Sequence, residues 1–270
     1  MKFSLLMSVY GQEKPQYLKE AIASAMDQTL PPEELILVGD GPLPARLSAA
    51  VSELCRKYPA ISYVPLAKNV GLGRALAIGF KHCSYDLVAR MDTDDICLPH
   101  RFAHQMAYLA EHPECAVLGA WIEEFETARP GEGRIKKMPM TAEEILSYGR
   151  FRNPINHMTV VFRRERVEAA GGYRHDPLLE DYDLWLRMLA AGDRFYNLPE
   201  VLVRMRVEDS TYKRRGGLTY FLHYLQLRRR ERELGLLSGL SYVKAVLITA
   251  LITLVPKTLR KLVYQRGLRR

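Results

Sequence analysis

The first two-thirds of the chain alternates apolar, strand-like runs with amphipathic helical stretches, which is the pattern of an α/β fold. The run Leu35-Ile36-Leu37-Val38 is continuously apolar, as is typical of a parallel strand covered on both faces. Other strand-like runs lie at 3–10, 61–65, 87–91 and 116–120, and helical patterns follow Pro15, Arg74, Pro99 and Asp181. The stretch 123–152 is irregular and predicts a loop-and-helix insertion. We therefore predict a mostly parallel central sheet flanked by helices in residues 1–212, and a helical region in 213–270.

Carboxylates at positions i and i+2, in Asp92-Thr93-Asp94-Asp95, directly follow the predicted strand 87–91. Like charges this close repel each other unless a cation lies between them. Oxygen ligands suit Mn²⁺ or Mg²⁺, which commonly bind one or two carboxylates together with the phosphates of a ligand. The cluster therefore predicts a divalent metal site and a nucleoside diphosphate substrate. The alternative is that Asp94 or Asp95 caps the helix that Pro99 begins.

Candidate ligand-binding segments lie at or after the ends of the first four predicted strands, at Val9-Tyr10, Asp40-Gly41, 69–74 and 92–95. Ligands of open parallel sheets bind at the carboxyl ends of the strands, so these four segments are expected to converge on one crevice. Gly71 and Gly73 allow close approach of the backbone, and Arg74 is a candidate contact for a phosphate. The glycine pair only weakly indicates the dinucleotide-binding motif G-x-G-x-x-G, because Leu76 stands where the motif has its third small residue.

A second acidic cluster, Glu180-Asp181-Tyr182-Asp183, lies at the start of a predicted helix. Part of it is expected to serve as N-cap and first-turn acid, particularly Asp183. A carboxylate left over is a candidate general base for transfer of a group to a hydroxyl. Downstream, Arg204, Arg206 and Lys213 are candidates to neutralise a diphosphate leaving group, or they form a solvated basic strand.

The net charge of +8 is concentrated at the C-terminus, where residues 234–270 contain seven basic residues and no acid. A general nucleic-acid-binding surface is therefore not indicated, whereas attraction to an anionic surface is. The apolar run 245–255 is short for a helix that spans a bilayer, which needs about 20 residues. It predicts a helix lying in the membrane interface; the alternative is packing on the body or on a second subunit. The stretch 218–227 is likewise a candidate for pairing subunits in a homodimer or for packing on the body.

No secretory signal is recognised at the start of the sequence. The four cysteines lack C-x-x-C spacing, which favours reduced thiols in a cytosolic protein.

Five motifs occur in the order and spacing of family-2 glycosyltransferases with the GT-A fold, which the chain therefore resembles. They are Ser8-Val9-Tyr10, Val38-Gly39-Asp40-Gly41, Asn69-x-Gly71-Leu72, Asp92-Thr93-Asp94-Asp95 and Glu180-Asp181-x-Asp183-Leu184-Trp185-x-Arg187. Within this family the chain is most similar to the small bacterial, amylovoran-type enzymes that assemble exopolysaccharide or O-antigen repeats on a lipid carrier. The resemblance covers about residues 3–210.

The resemblance implies an inverting transfer of a hexose or N-acetylhexosamine from a UDP-sugar to an acceptor hydroxyl, dependent on Mn²⁺ or Mg²⁺. By position, Asp40 would bind the uracil edge with Val9 and Tyr10 flanking the base, Asp92 would contact the ribose or metal-bound waters, and Asp94 would hold the metal. Asp181 would be the general base and Glu180 would orient the acceptor. Gly71, Arg74 and Arg206 complete the expected donor site. The family often has two acids before the glycine of the second-strand turn, and here Gly39 replaces the first of them.

The acceptor implied by the resemblance is a lipid-linked saccharide in the inner leaflet, reached by a peripheral protein on the cytoplasmic face of the inner membrane. Deletion of residues 241–270 is therefore expected to release the protein from membranes and to spare activity on a short soluble acceptor. Two other classes of protein are alternatives. A sugar nucleotidyltransferase would also use a metal between carboxylates. A non-catalytic sugar-nucleotide-binding protein would need no general base, so Asp181 would have no catalytic role.

Overall fold

The computed structural model describes residues 1–127, 131–174, 178–208 and 217–254. The strands are β1 Ser4–Tyr10, β2 Glu34–Asp40, β3 Ile61–Pro65, β4 Leu87–Arg90, β5 Ile96–Cys97, β6 Cys115–Phe125, β7 Arg134–Lys136, β8 Val161–Arg163 and β9 Arg194–Arg206. The helices are α1 Pro15–Met26, α2 Ala45–Lys57, α3 Leu72–Phe80, α4 Arg101–Glu111, α5 Ala142–Gly149, α6 Arg164–Ala169, α7 Glu180–Ala190, α8 Leu218–Glu233 and α9 Gly239–Thr253. A short 3-10 turn, His157–Thr159, precedes β8.

All these strands form one mixed sheet with the order β3-β2-β1-β4-β8-β6-β9-β5, and β7 pairs with β6. The four strands β3, β2, β1 and β4 are mutually parallel. Strand β8 runs antiparallel to both β4 and β6, and β9 then pairs in parallel with β6. The predicted α/β class is confirmed, with a parallel N-terminal half and a mixed C-terminal half. Because β1 to β4 are parallel, their carboxyl ends lie along one edge of the sheet.

Helices cover both faces of the sheet, and alternate residues of each central strand serve the two cores. In β1, Leu5 and Met7 face one core, which α1, α2 and α4 complete, whereas Leu6 faces the other. The second core is completed by α3 and α7, and its largest buried side chain is Trp185. The continuous apolar run in β2 is explained in the same way, since both of its faces are buried. The cysteines are unpaired, as expected.

The predicted elements form, with two differences. Helix α4 begins at Arg101 rather than at Pro99, because the Pro99 carbonyl accepts a hydrogen bond from the Thr29 amide, 3.1 Å away, outside the helix. The irregular insertion expected at 123–152 is wrong at its start: β6 continues to Phe125 and pairs there with β9. The helix expected in this region is confirmed as α5, which begins with a capping box between Thr141 and Glu144.

The C-terminal helices α8 and α9 form a hairpin that packs on the body of the protein. Tyr220 and Leu227 of α8 share a buried cluster with Leu179, Tyr182 and Leu186 around α7. The stretch 218–227 therefore packs on the body at these two positions. The predicted boundary at residues 212 and 213 lies outside the described residues and stays a prediction, and this small cluster contains residues from both sides of it.

This packing argues against the expectation that deletion of residues 241–270 spares activity on a short soluble acceptor. The α9 residues Ala245, Thr249 and Thr253 are buried against the hairpin partner, and the Arg228 Nε donates to Thr249 Oγ1 at 3.2 Å. Deletion from residue 241 would expose the otherwise buried Arg228.

Candidate functional site

The carboxyl ends of β1 and β2, with the segment after β3, form one side of the site. Tyr10 and Asp40 are direct partners in the parallel register. The Asp40 carboxylate accepts hydrogen bonds from the Val70 amide at 2.7 Å, from the Gly71 amide at 3.1 Å and from Asn69 Nδ2 at 3.0 Å. Asp40 thereby fixes the backbone that leads into α3. Gly71 has a φ of +86°, which favours glycine at this turn.

The three residues expected at the base differ in exposure. The side chain of Val9 is fully buried in the core, so of the pair Val9 and Tyr10 only Tyr10, which is 37% exposed, presents its side chain to the surface. Asp40 is 4% exposed and already takes three donors, so its direct contact with uracil stays a prediction. Arg74 is exposed on the first turn of α3, where backbone N–H groups and a positive helix end favour anions.

The acidic cluster after β4 is drawn together as predicted. Asp92, Asp94 and Asp95 each offer a carboxylate oxygen, and these atoms all lie within 4.8 Å of one another. None of the three caps a helix, because the N-cap of α4 is His100, which makes no side-chain cap hydrogen bond. The cap interpretation is therefore wrong for this cluster.

A fourth carboxylate, Glu13, was missed by the sequence analysis. Glu13 Oε2 accepts a hydrogen bond from Thr93 Oγ1 at 3.0 Å, and Thr93 also donates to the Ser8 carbonyl. Burial raises the pKa of Glu13, and the nearby charge of Asp92 adds to this. Glu13 lies in the turn between β1 and α1, and no spacing in the sequence connects it with residues 92–95.

The electrostatics of the cluster fit a divalent cation. Burial, followed by the charges of Asp92 and Glu13, raises the pKa of Asp94 to about 7. Burial and the two other aspartates hold the pKa of Asp95 well above its usual range, and Asp95 Oδ2 is a buried oxygen without a hydrogen-bond partner. Carboxylates that cannot all ionise without a counter-charge, together with an unsatisfied oxygen, are the donor set that Mn²⁺ or Mg²⁺ prefers.

Arg206 lies beside the cluster, but its guanidinium already has partners in the protein. Its Nε donates to the Asp94 carbonyl at 2.9 Å, and its terminal nitrogens donate to Thr127 Oγ1 and Glu20 Oε2 at 2.7 Å each. The Arg206 amide also donates to Asp95 Oδ1 at 2.9 Å. The Arg206 side chain is only 6% exposed. Its hydrogen bonds therefore stabilise the backbone and side chains of residues 94 and 95, and they leave little of the guanidinium for the predicted contact with the donor. Of the other predicted cations, Arg204 pairs with Glu123 at 2.7 Å and Lys213 lies outside the described residues.

Arg90 is the central buried cation of the site and was not singled out in the sequence. It is 2% exposed at the end of β4 and forms an ion pair with Asp92. Its Nε and second terminal nitrogen are buried without hydrogen-bond partners. The charges of Asp92 and Asp181 both contribute to raising the pKa of Arg90, although burial opposes this. Arg90 is therefore close enough to both acidic clusters to interact with their charges.

Glu180 and Asp181 form the other side of the site, in the first turn of α7. Burial and the neighbouring charge of Asp181 raise the pKa of Glu180 to about 7, and Asp92 also contributes. Asp181 Oδ2 accepts from Asn153 Nδ2 at 2.6 Å, and Oδ1 accepts from the Tyr182 amide at 2.8 Å. Asn153 was not predicted, because it reaches Asp181 from a distant segment.

The N-cap of α7 is Leu179 rather than an acid, and the first-turn acid Asp183 has structural partners. Its carboxylate accepts from Arg187 Nε at 3.0 Å and from an Arg230 nitrogen at 3.1 Å. Asp183 is therefore a structural acid, as expected.

Gly73 explains how the two sides meet. A Cβ at this position would lie 2.4 Å from the Arg174 carbonyl and 2.9 Å from the Glu180 Cβ. Only glycine allows this close approach between the start of α3 and the start of α7. The close approach that the structure shows at Gly73 is to the protein itself, and approach of a ligand to this backbone stays a prediction.

Comparison with known proteins gives consistent matches. The family model described as "Glycosyl transferase family 2" matches residues 4–167. The amylovoran biosynthesis glycosyltransferase AmsE of Erwinia amylovora is 39% identical over 267 residues, covering 98% of each chain. A "UDP-Gal:alpha-D-GlcNAc-diphosphoundecaprenol beta-1,3-galactosyltransferase" of Escherichia coli is 35% identical over 269 residues, covering 100% of this chain and 97% of that one.

Solved structures share the fold. S. aureus TarS 1-349 in complex with UDP-GlcNAc superposes with a TM-score of 0.68 at 17% identity, over 93% of this chain and 71% of that one. The mannosyltransferase PcManGT from Pyrobaculum calidifontis, in complex with GDP-Man and Mn²⁺, gives a TM-score of 0.65 at 16% identity, over 99% and 80% of the two chains.

Proposed function

The chain belongs to glycosyl transferase family 2, and we propose that it is an inverting, metal-dependent enzyme of bacterial surface polysaccharide synthesis. It would move a hexose or N-acetylhexosamine from a UDP-sugar to a hydroxyl of a lipid-linked saccharide. The names of its relatives support the pathway class and the lipid-linked acceptor. The observation that carries the chemistry is the pair of acidic clusters, one around Asp94 and one at Asp181, whose charges both act on the buried Arg90.

The donor side is proposed at the edge formed by β1 to β4. Asp94, with Asp92 and Asp95, would hold Mn²⁺ or Mg²⁺, which supplies positive charge to the leaving diphosphate when it is bound. Tyr10 would stack beside the nucleoside base, and Gly71 and Arg74 would lie along the phosphates at the start of α3. Asp40 and Arg206 would act mainly by holding the segments that form these walls.

The acceptor side is proposed at the first turn of α7. Asp181 would take the proton of the acceptor hydroxyl while its oxygen attacks C1 of the sugar from the face opposite the diphosphate. The O–C1 bond forms as the bond from C1 to the phosphate oxygen breaks, and UDP leaves with the electron pair. The Asp181 carboxylate accepts hydrogen bonds from Asn153 and from the Tyr182 amide, and each carboxylate oxygen can accept more than one hydrogen bond.

Glu180 would orient the acceptor. With a pKa of about 7, it is partly protonated at neutral pH and can donate a hydrogen bond to a sugar hydroxyl in that form. Its Cβ lies close to Gly73, where any larger residue would collide with it.

The experiment that tests this proposal is product analysis with purified protein, a panel of UDP-sugars, Mn²⁺ and a diphospholipid-linked acceptor. Released UDP together with an extended acceptor supports sugar transfer, and nuclear magnetic resonance of the new linkage shows whether the anomeric configuration is inverted. Pyrophosphate released from a nucleoside triphosphate would instead identify a nucleotidyltransferase. Binding of UDP-sugars without turnover over a broad acceptor screen would identify a non-catalytic binding protein.

A further inference from the structure

The outward face of α9 carries a row of large apolar side chains that no described residue covers. On a helical projection of 100° per residue they fall within an arc of about 80°. The row comprises Leu240 (87% exposed), Val243 (53%), Leu247 (64%), Leu251 (68%) and Leu254 (49%). We call this row the α9 stripe.

The opposite face of α9 is the one that the fold uses. Ala245, Thr249 and Thr253 are buried there against α8, and the two threonine hydroxyls donate to carbonyls one turn back, at 2.8 and 2.7 Å. The helix therefore buries small residues and exposes its leucines, which is the reverse of a water-facing helix. An apolar row of this kind marks a surface that another apolar phase covers.

The charges around the stripe favour an anionic lipid surface as that phase. Helix α9 contains no acidic residue, and the exposed Lys244 lies at the edge of the stripe. Arg229, Arg232 and Glu233 line a groove at Tyr242, on the opposite face of α9, and so do not border the stripe. Anionic headgroups would complement Lys244, and no acidic residue of α9 opposes them.

The geometry of the hairpin connects this surface with the acceptor side of the site. Arg228 of α8 donates to the Phe151 carbonyl at 2.6 Å and to the Arg150 carbonyl at 3.2 Å, and Lys244 of α9 lies over the Phe151 ring. Asn153, two residues further along, donates to Asp181. The hairpin that carries the stripe thus holds the segment that positions the proposed base.

We propose that the α9 stripe docks on an anionic membrane surface and so presents the acceptor side of the active site to the lipid interface. Among the described residues, no helix has the length and apolar character needed to span a bilayer, so docking places α9 along the surface. The second half of this inference rests on the proposed function, because it assumes a lipid-linked acceptor; the docking itself does not.

The test is co-sedimentation of the full-length protein with vesicles of phosphatidylglycerol and phosphatidylcholine, compared with vesicles of phosphatidylcholine alone. We expect the wild type to bind the anionic vesicles preferentially, and Leu247→Glu and Leu251→Glu to weaken that binding at least tenfold. Ile135→Glu is the matched control, since Ile135 is a 56% exposed apolar residue on β7, and it should bind as the wild type does. Equal binding by all four proteins would overturn the proposal.

Two further measurements test whether the stripe variants misfold and whether the stripe mediates self-association. Circular dichroism should show that the stripe variants fold normally, because their changed side chains are exposed. Light scattering tests the alternative that a second copy of the chain covers the stripe. A wild-type dimer that Leu247→Glu converts to a monomer, with no vesicle binding by either protein, would identify the stripe as a self-association surface and overturn membrane docking.

Activity separates this inference from the proposed function. If docking presents the acceptor, the stripe variants should keep the wild-type rate of UDP release with a short soluble acceptor and lose at least tenfold in kcat/KM with an acceptor in anionic vesicles. Equal kcat/KM with both acceptors would refute the link between docking and the acceptor. No UDP release by the wild type with any acceptor would refute the proposed function and leave vesicle binding unaffected.

Discussion

Replacing Asp94 with asparagine should stabilise the metal-free protein while abolishing its response to Mn²⁺. The pKa of Asp94 is raised from 3.8 to about 7 by burial and by the charges of Asp92 and Glu13, so ionising this carboxylate in the folded state is costly. The difference corresponds to about 4 kcal/mol at pH 8. Because solvent and counter-ions reduce such a penalty, we expect a gain of about 2 kcal/mol, which corresponds to a rise in Tm of roughly 4–8 °C for a chain of this size.

The gain in stability of Asp94→Asn over the wild type should depend on pH. A carboxylate whose pKa is raised in the folded state makes the protein less stable as the pH increases from the unfolded value of 3.8 to about 7. Asparagine does not titrate, so the advantage of Asp94→Asn should be small near pH 4, should grow up to pH 7 and should then stay constant.

Thermal unfolding followed by circular dichroism at pH 4, 6 and 8, with and without Mn²⁺, measures both effects. The wild type should gain Tm on addition of Mn²⁺ at pH 8, and Asp94→Asn should not. Asp86→Asn is the control, because Asp86 is an exposed carboxylate just before β4 and outside the cluster. A metal-free Asp94→Asn protein that is less stable than the wild type at pH 8 would refute the argument from charge crowding, and an undiminished Mn²⁺ response would refute the metal assignment.

Three other outcomes are expected. Asp181→Asn should lower kcat by about 10² to 10⁴ with little change in UDP affinity, measured by UDP release and by calorimetry; an equal loss of UDP affinity would contradict the assignment as base. Mn²⁺ affinity, measured by calorimetry at zero donor, should fall about tenfold from pH 8 to pH 6, because Asp94, with a pKa of about 7, must lose its proton to bind; a constant affinity would exclude it as ligand. Arg228→Met should destabilise the protein by about 3–5 kcal/mol in urea unfolding, because it leaves the fully buried Glu231 without its partner at 2.6 Å, and adding Glu231→Gln should restore part of this loss. No recovery in the double variant would show that the other contacts of Arg228 dominate.

The local parts of the site could be predicted from the sequence because their chemistry is contiguous. Asp92, Asp94 and Asp95 follow a strand directly, and Glu180 and Asp181 open a helix, so strand and helix periodicity places both clusters. The parallel order of β1 to β4 then brings the strand ends to one edge, as α/β topology requires.

The rest of the site depends on contacts between distant segments, which no periodicity encodes. Glu13 reaches the aspartates only because Thr93 turns back toward β1, and Asn153 reaches Asp181 across the fold. Val9 was expected beside the base together with Tyr10, but its side chain faces the core, because successive side chains of a strand point to opposite faces. Arg206 lies next to the metal-type cluster as expected, but packing and hydrogen bonding occupy its guanidinium.

Arg90 has a thermodynamic consequence for how the two substrates affect each other. This single buried guanidinium pairs with Asp92 and also interacts with the charge of Asp181. A ligand that neutralises one of these carboxylates changes the net charge that acts on the other, so we expect the affinities of donor and acceptor to be linked. By reciprocity, the factor by which the donor changes acceptor affinity must equal the factor by which the acceptor changes donor affinity.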